Sequence, residues 1–108
     1  MPNECRNHIT ITFPSEIKKE LESDIKKMNI VIVQTGKNGI RFHITTAWIP
    51  DNAWLESLIK KYPSCWIKNE WISEDGKAGV WIAYKKDIKF MEWDDLSIED
   101  EHFMFNST

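Results

Sequence analysis

The feature that most constrains this 108-residue chain is a strict alternation of side-chain types in two separate segments. From Asn7 to Phe13, apolar or amide side chains occupy every second position, and the alternation returns from Ile40 to Thr46. Successive side chains of a β-strand point to opposite faces of a sheet, so this pattern is typical of strands with one buried face. A sheet of this kind needs a second layer to cover its apolar face.

Two helices are predicted to supply that layer. Pro14-Ser15-Glu16 is a helix start, and apolar residues follow at helical spacing as far as about Met28. Pro50-Asp51-Asn52 begins the second helix, and Tyr62-Pro63 ends it. Lys60-Lys61 favours the carboxyl end of this helix, where the helix dipole attracts cations.

Three further strands complete the predicted order β-α-β-β-α-β-β. Residues 30–33 are joined by the turn Gly36-Lys37-Asn38-Gly39 to the strand at Ile40, and residues 65–72 and 78–85 form a hairpin around Asp75-Gly76. The rule for split β-α-β units then predicts an α+β, ferredoxin-like sheet of order 5-4-1-3-2 with both helices on one face. We expect this domain to occupy residues 1–86 and an acidic tail to occupy residues 87–108.

The hairpin turn predicts which side chains share a face. A two-residue turn at Asp75-Gly76 places Trp66 opposite Lys85 and Ile67 opposite Tyr84. The predicted core is then Ile9, Ile11, Phe13, Leu21, Ile25, Phe42, Ile44, Leu55, Leu58, Trp71, Val80 and Ile82. The predicted binding residues of the open face are His8, Arg41, His43, Trp66, Lys68, Trp81 and Lys85.

The open face combines aromatic rings with cations, as do surfaces that bind single-stranded nucleic acid. The alternative is that this face is covered by a second subunit or by apolar residues of the tail: Ile88, Phe90, Met91, Trp93, Phe103 and Phe105. His8 and His43 lie on adjacent predicted strands, but no third ligand has suitable spacing, so neither a metal nor any other cofactor is predicted.

Charge is distributed unevenly along the chain. Residues 1–91 contain 14 basic and 11 acidic side chains, a net charge of +3, whereas the last 17 residues contain six acids and no Lys or Arg. Such a tail is either a solvated edge or a docking segment with aromatic anchors. Its predicted binding residues are Glu92, Trp93, Asp94, Asp95, Glu99, Asp100, Glu101 and Phe103.

No nucleophile elbow, Cys-His pair or phosphate-binding loop is recognisable, so no catalytic residue is assigned and the chain is predicted not to be an enzyme. Cys5 and Cys65 are predicted to be thiols, because the proposed topology holds them at opposite ends of the sheet. The longest apolar stretches are far below the ~20 residues that cross a bilayer, and we expect a cytoplasmic protein without a membrane partner.

Two segments resemble a known family. The opening Met1-Pro2-Asn3-Glu4-Cys5-Arg6-Asn7-His8-Ile9-Thr10-Ile11-Thr12 is similar to the start of YubB-type ferredoxin-like domains of plasmids and bacteriophages. Thr46-Ala47-Trp48-Ile49-Pro50, with Trp54-Leu55 and Lys61-Tyr62-Pro63, resembles the segment before the fourth strand of that family. The resemblance covers about residues 1–86 and implies a ferredoxin-like protein of a mobile element, with no catalytic residues to transfer.

These observations lead to two hypotheses of function. The first is a non-enzymatic phage or plasmid protein that binds a host or phage protein through its acidic tail, with inhibition of a host defence factor as one concrete version. The second is a single-stranded nucleic-acid binder that uses the open sheet face. The sequence also leaves open that the chain forms a homo-oligomer.

Overall fold

The structure is a computed structural model that describes residues 4–85 and 87–94. The strands are β1 (Glu4–Thr12), β2 (Val31–Thr35), β3 (Gly39–Ala47), β4 (Trp66–Ser73), β5 (Lys77–Tyr84) and β6 (Asp87–Asp94). The helices are α1 (Lys18–Lys26), preceded by a 3-10 turn at Ser15–Ile17, and α2 (Asn52–Lys61). None of the helices in this part of the chain is long and apolar enough to cross a membrane.

The strands form one antiparallel sheet of order β2-β3-β1-β4-β5-β6. The predicted α+β class with two helices is confirmed, and the architecture is compatible with a ferredoxin-like fold. The strand order differs from the predicted 5-4-1-3-2 because a sixth strand lies outside β5. This strand comes from residues 87–94, the first part of the segment that was predicted to be a tail.

The core lies between the two helices and one face of the sheet. Ile11 and Phe42 from the central strands are fully buried there, together with Leu21 and Ile25 of α1 and Leu55 of α2. Burial of such side chains contributes about 1.5–3 kcal/mol each. Ten of the twelve predicted core residues are buried, and the two exceptions, Val80 and Ile82, both lie on β5.

The register of the β4–β5 hairpin explains both exceptions. Its turn contains three residues, 74–76, rather than two. The Gly76 N–H donates to the Ser73 carbonyl at 3.1 Å. Gly76 has a φ of 95°, in the left-handed region. A turn of this kind shifts the pairing by one residue, so that Trp66 lies opposite Tyr84 instead of Lys85. A shift of one residue exchanges the two faces of a strand.

The predicted faces of β5 were therefore wrong. Trp81, which was predicted on the open face, is only 4% exposed and belongs to the core. Ala83 is buried on the same side. Val80, Ile82 and Tyr84 point to the open face instead.

A buried amide network attaches the start of α2 to the sheet. The Asn69 Nδ2 donates to Asn7 Oδ1 at 2.9 Å and to Asn52 Oδ1 at 3.2 Å, and the Asp51 N–H donates to Asn7 Oδ1 at 3.4 Å. Asn7 Nδ2 in turn donates to the Ile44 carbonyl at 3.0 Å. Buried amides have to form such hydrogen bonds to offset their loss of water, so the network holds α2 at a defined position.

Trp71 packs across the backbone of β5 at the outer end of the same face. A Cβ atom at Gly79 would lie 2.6 Å from the Trp71 ring and 2.5 Å from the Met91 carbonyl oxygen. The Trp71 ring is also stacked on that of Phe90, with centroids 6.3 Å apart. The absence of a side chain at Gly79 therefore allows β4, β5 and β6 to pack closely.

Cys5 and Cys65 are both free and buried. Cys5 lies opposite Ser73 at one end of the β1–β4 pair, whereas Cys65 directly precedes Trp66, which lies opposite Thr12 at the other end. Burial raises the pKa of both thiols, that of Cys65 to about 11. Both therefore remain neutral at physiological pH.

Candidate functional site

The open face of the sheet brings together most of the residues that the sequence predicted for it. On the two central strands and their neighbours, His8 lies opposite His43 and Glu70, and Thr10 lies opposite Arg41 and Lys68. Five of the seven predicted residues lie on this face: His8, Arg41, His43, Trp66 and Lys68. Their neighbours along each strand are buried beneath the helices, which orients these five away from the core.

The other two predicted residues lie elsewhere. Trp81 is buried on the opposite face because the three-residue turn shifts the register of β5 by one residue. Lys85 follows β5 in a left-handed conformation, with a φ of 56°, and its Nζ lies 5.4 Å from the centroid of the Tyr84 ring. Tyr84 takes the position on the open face that was expected for Lys85. The three-residue turn ending in Gly76 is the sequence feature that could have identified Tyr84.

Trp66 and Tyr84 form an aromatic pair at one end of the open face. They are direct cross-strand partners on β4 and β5, and Tyr84 is 47% exposed. The Lys68 Nζ lies 6.0 Å from the centroid of the Trp66 ring, within the range of a cation–π interaction. Two aromatic residues thus lie opposite each other on neighbouring strands, each with a lysine ammonium near its ring.

His8 and His43 form a second cluster at the centre of the sheet. The Nε2 of His43 and the Nδ1 of His8 are 2.6 Å apart, and the ring centroids are separated by 4.7 Å. Partial burial is the main cause that lowers the pKa of His8; the charge of His43 lowers it further, and Glu70 opposes the change. The His8 ring is therefore predominantly uncharged at neutral pH.

Two shallow cavities flank the histidine pair. The larger, of about 510 Å³, is lined by Arg6, Thr45 and Glu70 as well as by both histidines. The smaller, of about 190 Å³, is lined by Thr10, Thr12, Gln34 and Arg41.

Two polar contacts organise the rims of these cavities. Arg41 Nη1 donates to Gln34 Oε1 at 2.8 Å, and Lys68 Nζ lies 2.9 Å from Glu70 Oε1. Arg41 and Lys68 thus each already hold a partner. Both contacts are exposed to solvent, so they hold the side chains in place only weakly.

The chemistry of this face favours anions and flat rings. Within residues 4–85 and 87–94, no group of three His, Cys, Asp or Glu side chains is placed to hold a metal ion. The face instead offers guanidinium, ammonium and hydroxyl donors together with two aromatic rings. Donors of this kind bind phosphate oxygens, and aromatic rings stack on nucleobases.

The predicted binding residues of the tail are only partly described. Glu92, Trp93 and Asp94 belong to β6, and Glu92 is exposed. Asp95, Glu99, Asp100, Glu101 and Phe103 lie outside the described residues. β6 was missed by sequence reasoning, although the strand-forming residues from Ile88 to Trp93 could have indicated it.

No protein-family model, curated protein or solved structure matches this chain. The YubB-type assignment therefore stays a prediction that depends on the quoted segments.

Proposed function

We propose that this chain is a non-enzymatic, ferredoxin-like domain that binds single-stranded nucleic acid on the open face of its sheet. The observation that carries the proposal is the Trp66–Tyr84 pair, with Lys68 and Lys85 beside the two rings. Tyr84 is exposed and Trp66 is partly exposed, so these neighbouring side chains offer a stacking surface for two successive bases. Stacking of this kind is worth about 1–3 kcal/mol per base and requires no particular sequence.

Cations on the same face support contacts to the phosphate backbone. Arg6 on β1, Arg41 on β3 and Lys89 on β6 are exposed. Their register positions place them on the open side of the sheet, together with Lys68 on β4. Each phosphate contact releases a counterion, so the affinity should fall as salt rises. The net charge of +3 over residues 1–91 favours a short single-stranded site over a long duplex interface.

The decisive experiment measures binding of fluorescein-labelled single-stranded DNA and RNA by anisotropy at low and moderate salt. We expect Trp66→Ala and Tyr84→Ala each to weaken binding by about 5- to 100-fold, the equivalent of one lost stacked base. Phe90→Ala is the matched control. Phe90 is an exposed aromatic residue of β6, but it lies opposite Trp81 and therefore on the other face.

Circular dichroism verifies that each variant is folded. Native-like affinity of both Trp66→Ala and Tyr84→Ala would refute the proposal, as would the absence of binding by the wild-type chain at low salt. An equal loss in Phe90→Ala would place the binding surface on the other side of the sheet.

The second candidate function is binding of a host or phage protein through the carboxyl-terminal region. It is favoured by the exposure of Ile88, Phe90 and Met91 on β6, an edge strand that leads directly into the acidic residues after Asp94. Edge strands with apolar side chains can pair with a strand of another protein. Inhibition of a host defence factor, a phage or plasmid source and a cytoplasmic location stay predictions attached to this candidate.

Deletion of residues 95–108 tests the second candidate while β6 is retained. Partners recovered from nuclease-treated lysate by the intact chain should be lost by the shortened chain and by Phe90→Ala. Retention of the same partner by both variants would contradict the candidate. Nucleic-acid binding should be unchanged in the shortened chain, which separates the two functions.

A further inference from the structure

A five-residue pattern occurs twice on the open face. The sequence Arg-x-His-Ile-Thr runs from Arg6 to Thr10 on β1 and from Arg41 to Thr45 on β3. The two strands are antiparallel neighbours, and their register places His8 opposite His43, Arg6 opposite Thr45 and Thr10 opposite Arg41. The two copies are therefore related by a local two-fold axis that passes between the histidines.

All three polar side chains of each copy lie on the same side of the sheet. The arginine, histidine and threonine occupy alternate positions, and the residues between them, including Ile9 and Phe42, are buried beneath the helices. Six donor-bearing side chains thus converge on one patch of two strands. Arg6 and Thr45 lie at one end of this patch and line the larger cavity with both histidines, whereas Thr10 and Arg41 lie at the other end and line the smaller cavity.

We propose that the larger cavity of this patch is a phosphate-binding site, in which Arg6, Thr45 and the His8–His43 pair hold one phosphate group of a single-stranded nucleic acid. This inference rests on the proposed function and adds the site and its chemistry. Arg6 supplies a guanidinium that binds phosphate oxygens in a fork, and Thr45 supplies a hydroxyl donor. Arg41 is not part of this site because it lines the smaller cavity, where its Nη1 donates to Gln34 Oε1 at 2.8 Å.

The histidine pair makes the site sensitive to pH. With 2.6 Å between His43 Nε2 and His8 Nδ1, one proton lies between the two rings. A neutral pair holds one further proton, so only one of the two remaining ring nitrogens is a donor. One additional proton turns both into donors and gives the pair a positive charge. A bound phosphate stabilises this protonated state, so binding takes up a proton.

The surrounding charges determine the direction of the pH dependence. His8 faces Arg41 and His43 on β3 and Glu70 and Lys68 on β4, whereas His43 faces the apolar Val31 on β2. Burial and neighbouring cations lower the pKa of His8, with Glu70 acting in the opposite direction. The unliganded His8 ring is therefore mainly neutral near pH 7. Affinity for phosphate should rise as the pH is lowered, by at most about tenfold per pH unit for one proton.

Glu70 provides an internal check of the site. Its carboxylate lines the same cavity and is paired with Lys68 at 2.9 Å. A carboxylate beside a bound phosphate repels it. Glu70→Gln should therefore bind phosphate several-fold more tightly than the wild-type chain. If phosphate does not bind in this cavity, the substitution should leave the affinity for phosphate unchanged.

The experiment uses the full chain and two probes: inorganic phosphate, followed by the histidine ring resonances in NMR, and single-stranded oligonucleotides with and without a 5′-phosphate. Phosphate should shift both histidine resonances and raise their apparent pKa. Arg6→Gln should weaken binding about tenfold or more, and His43→Asn should reduce the pH dependence because only the His8 ring can still take up the proton. Arg41→Gln, the matched control across the two-fold axis, should have a smaller effect than Arg6→Gln.

The two sources of the phosphate are separated by the oligonucleotide pair. Tighter binding of the 5′-phosphorylated strand assigns the site to a terminal phosphate. Equal affinity of the two strands, together with a loss of affinity in Arg6→Gln, assigns it to the backbone. Unshifted histidine resonances, or unchanged affinity and pH dependence in both Arg6→Gln and His43→Asn, would overturn it.

The same measurements distinguish this inference from the proposed function. If Trp66→Ala loses oligonucleotide binding while Arg6→Gln and His43→Asn behave as wild type, the nucleic-acid function stands and the phosphate site is wrong. If inorganic phosphate shifts the histidines but no oligonucleotide binds, the phosphate site stands and the nucleic-acid function is wrong.

Discussion

The two faces of the sheet are built from the same strands but carry different chemistry. The helix side contains Ile9, Ile11 and Phe42, all inaccessible to solvent, together with a hydrogen-bonded amide network. The open side contains histidine, arginine and threonine in a repeated pattern, with an aromatic pair beside it. Alternation along each strand thus separates a packed face from a polar face, and substitutions on the two faces should have different effects.

The largest expected effect comes from removing a core side chain on β1. Ile11→Ala should lower the free energy of unfolding by about 2–5 kcal/mol because it leaves a cavity between helices and sheet. The adjacent exposed residue offers a matched control, since Thr12→Ala should change stability by about 0.5 kcal/mol or less. Urea unfolding measures both. Equal midpoints for Ile11→Ala, Ile44→Ala and wild type would reject the assignment of the faces.

The next largest loss of stability is expected at Gly79, where β4, β5 and β6 pack closely at the outer end of the buried face. Gly79→Ala should cost about 1–3 kcal/mol, because its Cβ would clash with the Trp71 ring and the Met91 carbonyl. Gly39→Ala is the control, since its Cβ would lie 3.5 Å from the Ile11 carbonyl oxygen, an ordinary contact. Thermal unfolding followed by tryptophan fluorescence reports the difference. Wild-type stability of Gly79→Ala would show that β6 does not pack as described.

A loss of similar size should follow from breaking the buried amide network. Asn69→Ala deprives Asn7 Oδ1 and Asn52 Oδ1 of a donor, at a cost of about 1–3 kcal/mol. Asn29 is exposed, so Asn29→Ala should be nearly neutral. The comparison uses chemical unfolding, and amide hydrogen exchange at the start of α2 should accelerate in Asn69→Ala alone. Unchanged exchange there would contradict the proposed attachment of α2.

The smallest effect concerns the outer ends of the covering helices. Asp24 accepts hydrogen bonds from Lys61 and Tyr62, and these contacts lower its pKa from 3.8 to about 2. A lowered pKa in the folded state contributes stability that is present above pH 3.8 and is lost as the pH falls towards 2. The free energy of unfolding of Asp24→Asn should therefore fall less than that of the wild-type chain as the pH is lowered from 3.8 towards 2. The same acid sensitivity in both proteins would contradict this role.

Sequence reasoning located the elements well wherever a local pattern was decisive. Alternation identified β1 and β3, and it placed Ile11 on one face and His8 on the other, as the structure has them. It misplaced Trp81, because the face of β5 depends on the number of turn residues around Asp75-Gly76, which alternation does not report. It assigned residues 87–94 to a tail because their acidic surroundings concealed a strand pattern.

The sequence by itself determined which segments become strands and helices, because periodicity and turn chemistry are local properties. It also contained both Arg-x-His-Ile-Thr copies, but a list of residues does not show that they meet. Only the tertiary structure decided that β1 and β3 are antiparallel neighbours in a register that brings His8 to His43, and that Trp66 lies beside Tyr84. The physical reason is that register depends on long-range packing and turn length together, and a shift of one residue moves every side chain of a strand to the other face.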